Sequence, residues 1–277
     1  MEASGLLIRR LRPEDIPLAM RLKEAAGWNQ TEQDWLNLIE LEPEGCFALE
    51  TGGVLASTAT VVCYGNELAW IGMVLTAPEY RGRGFARRLM ACALEYARRR
   101  GVAWIKLDAT DMGRPLYEKL GFVEEATVER WMREPAPYHA PPPDVRPFAL
   151  DGELDREAFG ADRRAVLERL ARWEAVSLPG GYAMGRPGSR GFYFGPCVCR
   201  APEGARRLLE WFLARRANET IFWDLLISNP AAVELARQHG FQPCRRLARM
   251  ALRAVPEAQP LDRRDELVFA LAGFEYG

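Results

Sequence analysis

The sequence predicts a mixed α/β fold built twice, each half a central mixed β-sheet flanked by helices. Three observations predict it. Gly52-Gly53 separates two short apolar runs within residues 46–62, the signature of an antiparallel hairpin. An apolar run at 68–75, an amphipathic helix and a second apolar run at 102–107 then form a strand–helix–strand crossover, whose strands must be parallel. Finally, the second half echoes the first: Gly195 in the run 193–199 takes the place of Gly72 in the run 70–75, and Ala201-Pro202-Glu203 repeats Ala77-Pro78-Glu79. Hairpin and crossover together make the sheet mixed, and the repeat makes it double. Residues 134–144 hold five prolines and one histidine, a stiff and extended composition. The division expected is therefore a first domain over 1–133, a linker over 134–144 and a second domain over 145–277.

The elements follow in order. Residues 6–11 read as an opening strand, and Pro13-Glu14-Asp15 starts a helix running to about Ala25. Trp28, Asn29 and Gln30 lie in a loop, after which Thr31 caps a second helix with Asp34 three residues on. The hairpin and the strand at 68–75 come next. In the crossover helix Leu89, Met90, Ala93, Leu94 and Ala97 recur at helical spacing. After the strand at 102–107, Pro115 fits the first turn of a short helix carrying Tyr117, and Gly121 fits its end before a strand from Phe122.

Composition excludes several roles. A formal net charge of -1 over 277 residues gives no global attraction to nucleic acid or to an anionic membrane. Lysine occurs only at Lys23, Lys106 and Lys119, so 34 of the 37 basic residues are arginine, which reads as a coding-composition bias. No run of ~18 apolar residues predicts a membrane span, and the N-terminus lacks the apolar core of a secretory signal. The six cysteines lie mostly in apolar segments without CxxC or Cys/His spacing, so buried, reduced thiols of a cytoplasmic protein are expected and no metal site is.

The chemistry concentrates between the two parallel strands. Residues 81–86, Arg-Gly-Arg-Gly-Phe-Ala, lead straight into the crossover helix. Gly82 and Gly84 let the backbone approach a ligand, and the unpaired N–H groups of the first helical turn point at the same spot, where the helix dipole favours negative charge. A phosphate would sit there. The loop also lies at the carboxyl end of the first parallel strand, where ligands of such units bind. The repeat acts as an internal control. Seven residues separate Glu79 from Arg87 in the first half, whereas Gly204-Ala205 alone separate Glu203 from Arg206. Residues 236–241 match 117–122, with Ala236 in place of Tyr117. Loop and tyrosine are lost together, which suggests that they serve one ligand.

Residues 81–86 and 116–122 resemble the pyrophosphate motif and the tyrosine motif of the GNAT (GCN5-related) N-acetyltransferases. The pair covers roughly the first 133 residues, and the second half resembles a degenerate GNAT-like domain. The resemblance implies acetyl-CoA as cosubstrate, with its pyrophosphate on the backbone of Arg81, Gly82, Arg83, Gly84, Phe85 and Ala86. The pantetheine arm would pair with the strand edge at Met73, Val74 and Leu75. Tyr117 would donate a proton to the departing thiolate, and Thr110 stands where the family usually has an Asn facing the cofactor arm. Asn229 and Ala232 keep the family's residues at the matching places of the second half.

The acceptor implied is a primary amine, with a small molecule favoured over a protein, and with Trp28, Asn29, Gln30 and Trp35 forming part of its pocket or else packing a helix on the sheet. The attacking amine must be neutral, yet no carboxylate lies on the central strand. Glu67, Asp108, Asp111, Glu32 and Asp34 are the candidate bases, with Asp108 favoured and a structural role as its alternative. The competing function is a non-catalytic acyl-CoA sensor or interaction protein. Oligomeric state is not legible.

Overall fold

The computed structural model describes residues 5–277, which form two compact units. Unit 1 comprises the chain up to Leu107 with Leu252–Ala258 and Tyr276; unit 2 comprises Asp108–Ala251, Gln259–Glu275 and Gly277.

Unit 1 opens with β1 (Leu6–Arg10), α1 (Ile16–Ala25), α2 (Glu32–Leu41), β2 (Cys46–Thr51), β3 (Val54–Tyr64) and β4 (Leu68–Thr76). It continues with α3 (Phe85–Arg99) and β5 (Trp104–Ala109), whose last residues pass into unit 2. The sheet order is β1-β2-β3-β4-β5, antiparallel throughout except for the parallel pair β4/β5. The α3 positions Leu89, Met90, Ala93, Leu94 and Ala97 are all buried, and the helix packs on β2, β3 and β4. The capping box predicted for α2 is present: the Asp34 N–H donates to Thr31 Oγ1 at 3.4 Å, and the Thr31 N–H donates to Asp34 Oδ2 at 2.7 Å.

Unit 2 contains α4 (Arg114–Lys119), β6 (Val123–Arg133), the short β7 (Arg146–Pro147), α5 (Gly152–Phe159), α6 (Arg164–Leu170), β8 (Glu174–Leu178) and β9 (Gly181–Arg186). There follow β10 (Phe192–Cys199), α7 (Pro202–Arg216), β11 (Ile221–Leu226), α8 (Pro230–Gln238), β12 (Gln242–Arg253) and β13 (Val268–Ala270). Its sheet runs β12-β6-β11-β10-β9-β8-β7, with β13 as an extra partner of β10. Among the described residues of this sheet, only β10 and β11 pair in parallel. Phe212, Phe194, Trp223 and Phe241 form its aromatic centre, with successive ring centroids 5.1–5.2 Å apart.

The compact units do not follow the sequence division at 134–144. Residues 108–133 belong to unit 2, because β6 pairs on one side with β11 and on the other with β12. The proline-rich stretch is tied down as well: the Ala136 N–H donates to Ala217 O at 2.9 Å, and Tyr138 packs on the unit 2 core. Among the described residues no helix is long and apolar enough to cross a membrane.

Candidate functional site

The loop after β4 has the form of an anion cradle. Gly82 and Gly84 adopt φ of +76° and +77°, left-handed values that only glycine takes without strain, and Gly84 is the residue on which α3 starts. Among the described residues, the backbone N–H groups of residues 82–87 donate to no protein acceptor, and no side chain caps α3. A carboxylate is missing from the first turn too, so nothing on the helix itself competes for an incoming anion. Phe85 is buried and stacks on Tyr80 with centroids 5.9 Å apart, which anchors the loop, while Ala86 is half-buried. Arg81 and Arg83 are exposed; Arg81 Nε donates to Thr76 O at 3.3 Å and the Arg83 guanidinium lies over the Tyr80 ring. Their charge is at the loop, although both side chains are engaged by the protein.

The strand leading into the loop has a free edge. β4 and β5 pair only at residues 68–70 with 104–106, and among the described residues no strand pairs with the rest of β4 on that side. Here β4 also carries an extra residue relative to β3, since Thr58 faces Leu75 while Thr60 faces Gly72. Met73 takes φ +49° at this bulge, the one non-glycine residue with positive φ among those described. Side chains of β3 hold the distortion: Thr58 Oγ1 donates to Met73 O at 2.9 Å and Ser57 Oγ donates to Leu75 O at 2.6 Å. Met73 and Leu75 are buried and Val74 is half-buried. A bulged half-strand with a bare edge accepts an extended ligand as an added strand would be accepted.

Tyr117 lies in unit 2, in the short turn of α4. Its ring is buried and packs edge-on against Phe122, and burial pushes its phenol pKa above the ordinary value. Among the described residues its hydroxyl makes no hydrogen bond. Gly113 is needed for space, because a Cβ there would come within 2.9 Å of the Tyr117 ring. Thr110 serves the backbone locally: its Oγ1 accepts from the Gly113 N–H at 3.2 Å and its carbonyl accepts from the Gly113 and Arg114 N–H groups.

Asp108, the favoured base, is a fully engaged carboxylate. Arg249 Nε donates to Oδ1 and Nη2 to Oδ2, both at 2.9 Å, and both side chains are buried. Burial alone would lower the Arg249 pKa, but the facing carboxylate raises it, so the guanidinium stays charged. This is the structural alternative, a bidentate ion pair, in place of a base open to an amine. Asp34 is spent on its cap, whereas Glu32 and Asp111 are exposed.

Of the acceptor-pocket candidates, all in unit 1, Trp28 is half-buried and Asn29, Gln30 and Trp35 are buried. Trp35 is fully enclosed in α2, and its Nε1 has no hydrogen-bond partner among the described residues. Tyr276 is a residue that sequence reasoning missed. It is fully buried in unit 1, its carbonyl accepting from the Tyr64 hydroxyl at 2.6 Å and its own hydroxyl donating to Asp34 O at 3.4 Å. Nothing in the sequence signals a contact across 212 positions. Among the described residues, no cluster of His, Cys, Asp or Glu could hold a metal ion.

The Acetyltransferase (GNAT) family matches residues 14–122, and an Acetyltransferase (GNAT) domain matches residues 152–270. The chain belongs to the GNAT acetyltransferase family. It is a tandem member, and enzymes of this family transfer acyl groups from acetyl-CoA. This GNAT chain is 26% identical to YitH of Bacillus subtilis, described as an uncharacterized N-acetyltransferase, over 72% of this chain and 75% of the relative. An uncharacterized N-acetyltransferase of Methanocaldococcus jannaschii is 30% identical over 38% of this chain and half of its own length. A Pyrococcus horikoshii structure described as a candidate acetyltransferase shares the fold with TM-score 0.84 and 24% identity, covering 100% of this chain and 98% of that one. A tandem GNAT protein from the clavulanic acid biosynthesis pathway has TM-score 0.58 and 14% identity, over 92% of this chain and 100% of the other. Both likenesses are of fold.

Proposed function

We propose that the chain transfers an acetyl group from acetyl-CoA to a primary amine, with a small molecule as acceptor, in the cytoplasm. The observation that carries this reading is the run of unpaired N–H groups over residues 82–87, beside the bare edge of β4. These groups would hold the pyrophosphate, and Met73, Val74 and Leu75 would pair with the pantetheine arm. Acetyl-CoA supplies a carbonyl activated by its thiol leaving group. The amine forms the new C–N bond as the C–S bond breaks, and the amine's surplus proton goes to water. Tyr117 holds a proton on its hydroxyl for the leaving sulfur; its motif supports this role, and so does a burial that keeps the phenol neutral. Trp28, Asn29, Gln30 and Trp35 are assigned to the acceptor side.

One observation favours the second reading, a non-catalytic acyl-CoA sensor: the favoured base is locked to Arg249. A thiol-release assay across a panel of amines separates the two. Turnover that falls about 100-fold in Tyr117→Phe, with CoA affinity unchanged, is the enzyme's result. CoA binding without turnover on any amine is the sensor's.

A further inference from the structure

The two parallel strand pairs open in the same way and are filled differently. In unit 1, β4 and β5 part after residues 70 and 106. In unit 2, β10 and β11 pair at residues 192–194 with 221–223 and then part. The opening in unit 2 is occupied by the chain's own residues 265–272. On one side β13 pairs antiparallel with β10, Cys197 facing Ala270 and Val198 facing Val268. On the other side the Leu271 N–H donates to Asp224 O at 3.0 Å, and Trp223 Nε1 donates to Phe269 O at 2.8 Å, both from β11. The Tyr193 hydroxyl lies 3.0 Å from both Leu271 O and Asp224 Oδ2 and shares its one proton between these two acceptors.

Two residues of the repeat are committed to this segment. Asn229 keeps the family's residue where the first half of the sequence has Thr110; its Nδ2 donates to Val268 O at 2.9 Å and to Glu266 O at 3.1 Å. Gly195 takes φ +144°, and a Cβ there would lie 2.2 Å from Leu271 O. The phosphate end differs as well: Pro202 removes an N–H from the first turn of α7, and Glu203 places a carboxylate in it.

We infer that residues 265–272 are a tethered stand-in for the cofactor arm, so that the unit 2 cleft is a strand-accepting site closed by the chain itself. The stand-in role rests on the reading given above for β4, whereas the occupancy does not. Asn229 holds backbone carbonyls of this segment as it would hold an extended amide-bearing ligand, and unit 2 takes up no CoA.

Hydrogen exchange on the whole chain, with and without CoA, tests this. Without ligand, the amides of residues 268–271 are expected to exchange on the order of 100-fold more slowly than that of the exposed Glu257. Added CoA should slow exchange at residues 73–75 and 82–87 and leave 192–199 and 265–272 unchanged. Gly195→Ala should speed exchange at 265–272 at least tenfold while CoA protection of 82–87 persists. Fast exchange at 268–271 in the parent chain, or any CoA-dependent change at 192–199 or 265–272, overturns the inference. If CoA protects no residue at all, the β4 reading and the stand-in role fail, and slow exchange at 268–271 then shows occupancy alone.

Discussion

Asp108 and Arg249 show how one residue's neighbours decide between a catalytic and a structural carboxylate. Both oxygens of Asp108 are held by the guanidinium in a buried pair, so removing one partner strands a charge. Asp108→Asn is expected to lower stability by about 3 kcal/mol in denaturant titration, whereas Asp108→Leu combined with Arg249→Met should recover most of that loss. A single variant as stable as the parent, with lost turnover, would return Asp108 to the role of base. Tyr117 makes the complementary case, with an unengaged hydroxyl and a ring whose position depends on Gly113. Gly113→Ala should displace the ring and lower kcat about tenfold, with the Kd for CoA changed less than twofold, in parallel kinetic and binding measurements. Equal kcat in parent and variant would remove Tyr117's placement from the chemistry.

Among the elements, β4 and the start of α3 were legible in sequence because each is a short contiguous signal: an apolar strand, two glycines and a helical period. The bulge at Met73 was not, since an extra residue in one strand is defined only against its partner β3. Its support by Thr58 predicts that Thr58→Val, leaving the buried Met73 carbonyl without that donor, costs about 1–2 kcal/mol of stability. The same change should raise the Kd for CoA; thermal and calorimetric titrations that match the parent would detach the bulge from ligand binding. The role of Asn229 was equally hidden. The repeat alignment located it, but the carbonyls it holds lie 37 and 39 residues further on.

At the scale of the molecule, the repeat was readable, while the compact division was not, because β6 pairs with strands more than eighty residues later. An ion pair across 141 positions and the buried Tyr276 likewise leave no local trace. With the amine's proton passing to water, kcat/KM should rise with unit slope in pH toward the acceptor's own pKa, about 10 for an alkylamine. Tyr117, its pKa raised by burial, adds no falling limb below that. A plateau beginning near neutral pH would instead reveal a side-chain base. The most direct test of the central claim, acyl-CoA held on the amides of residues 82–87, is calorimetric titration of the whole chain and of Gly84→Glu with CoA. One CoA per chain, abolished in the correctly folded variant, is the predicted result; two per chain, or unchanged binding to Gly84→Glu, would contradict it.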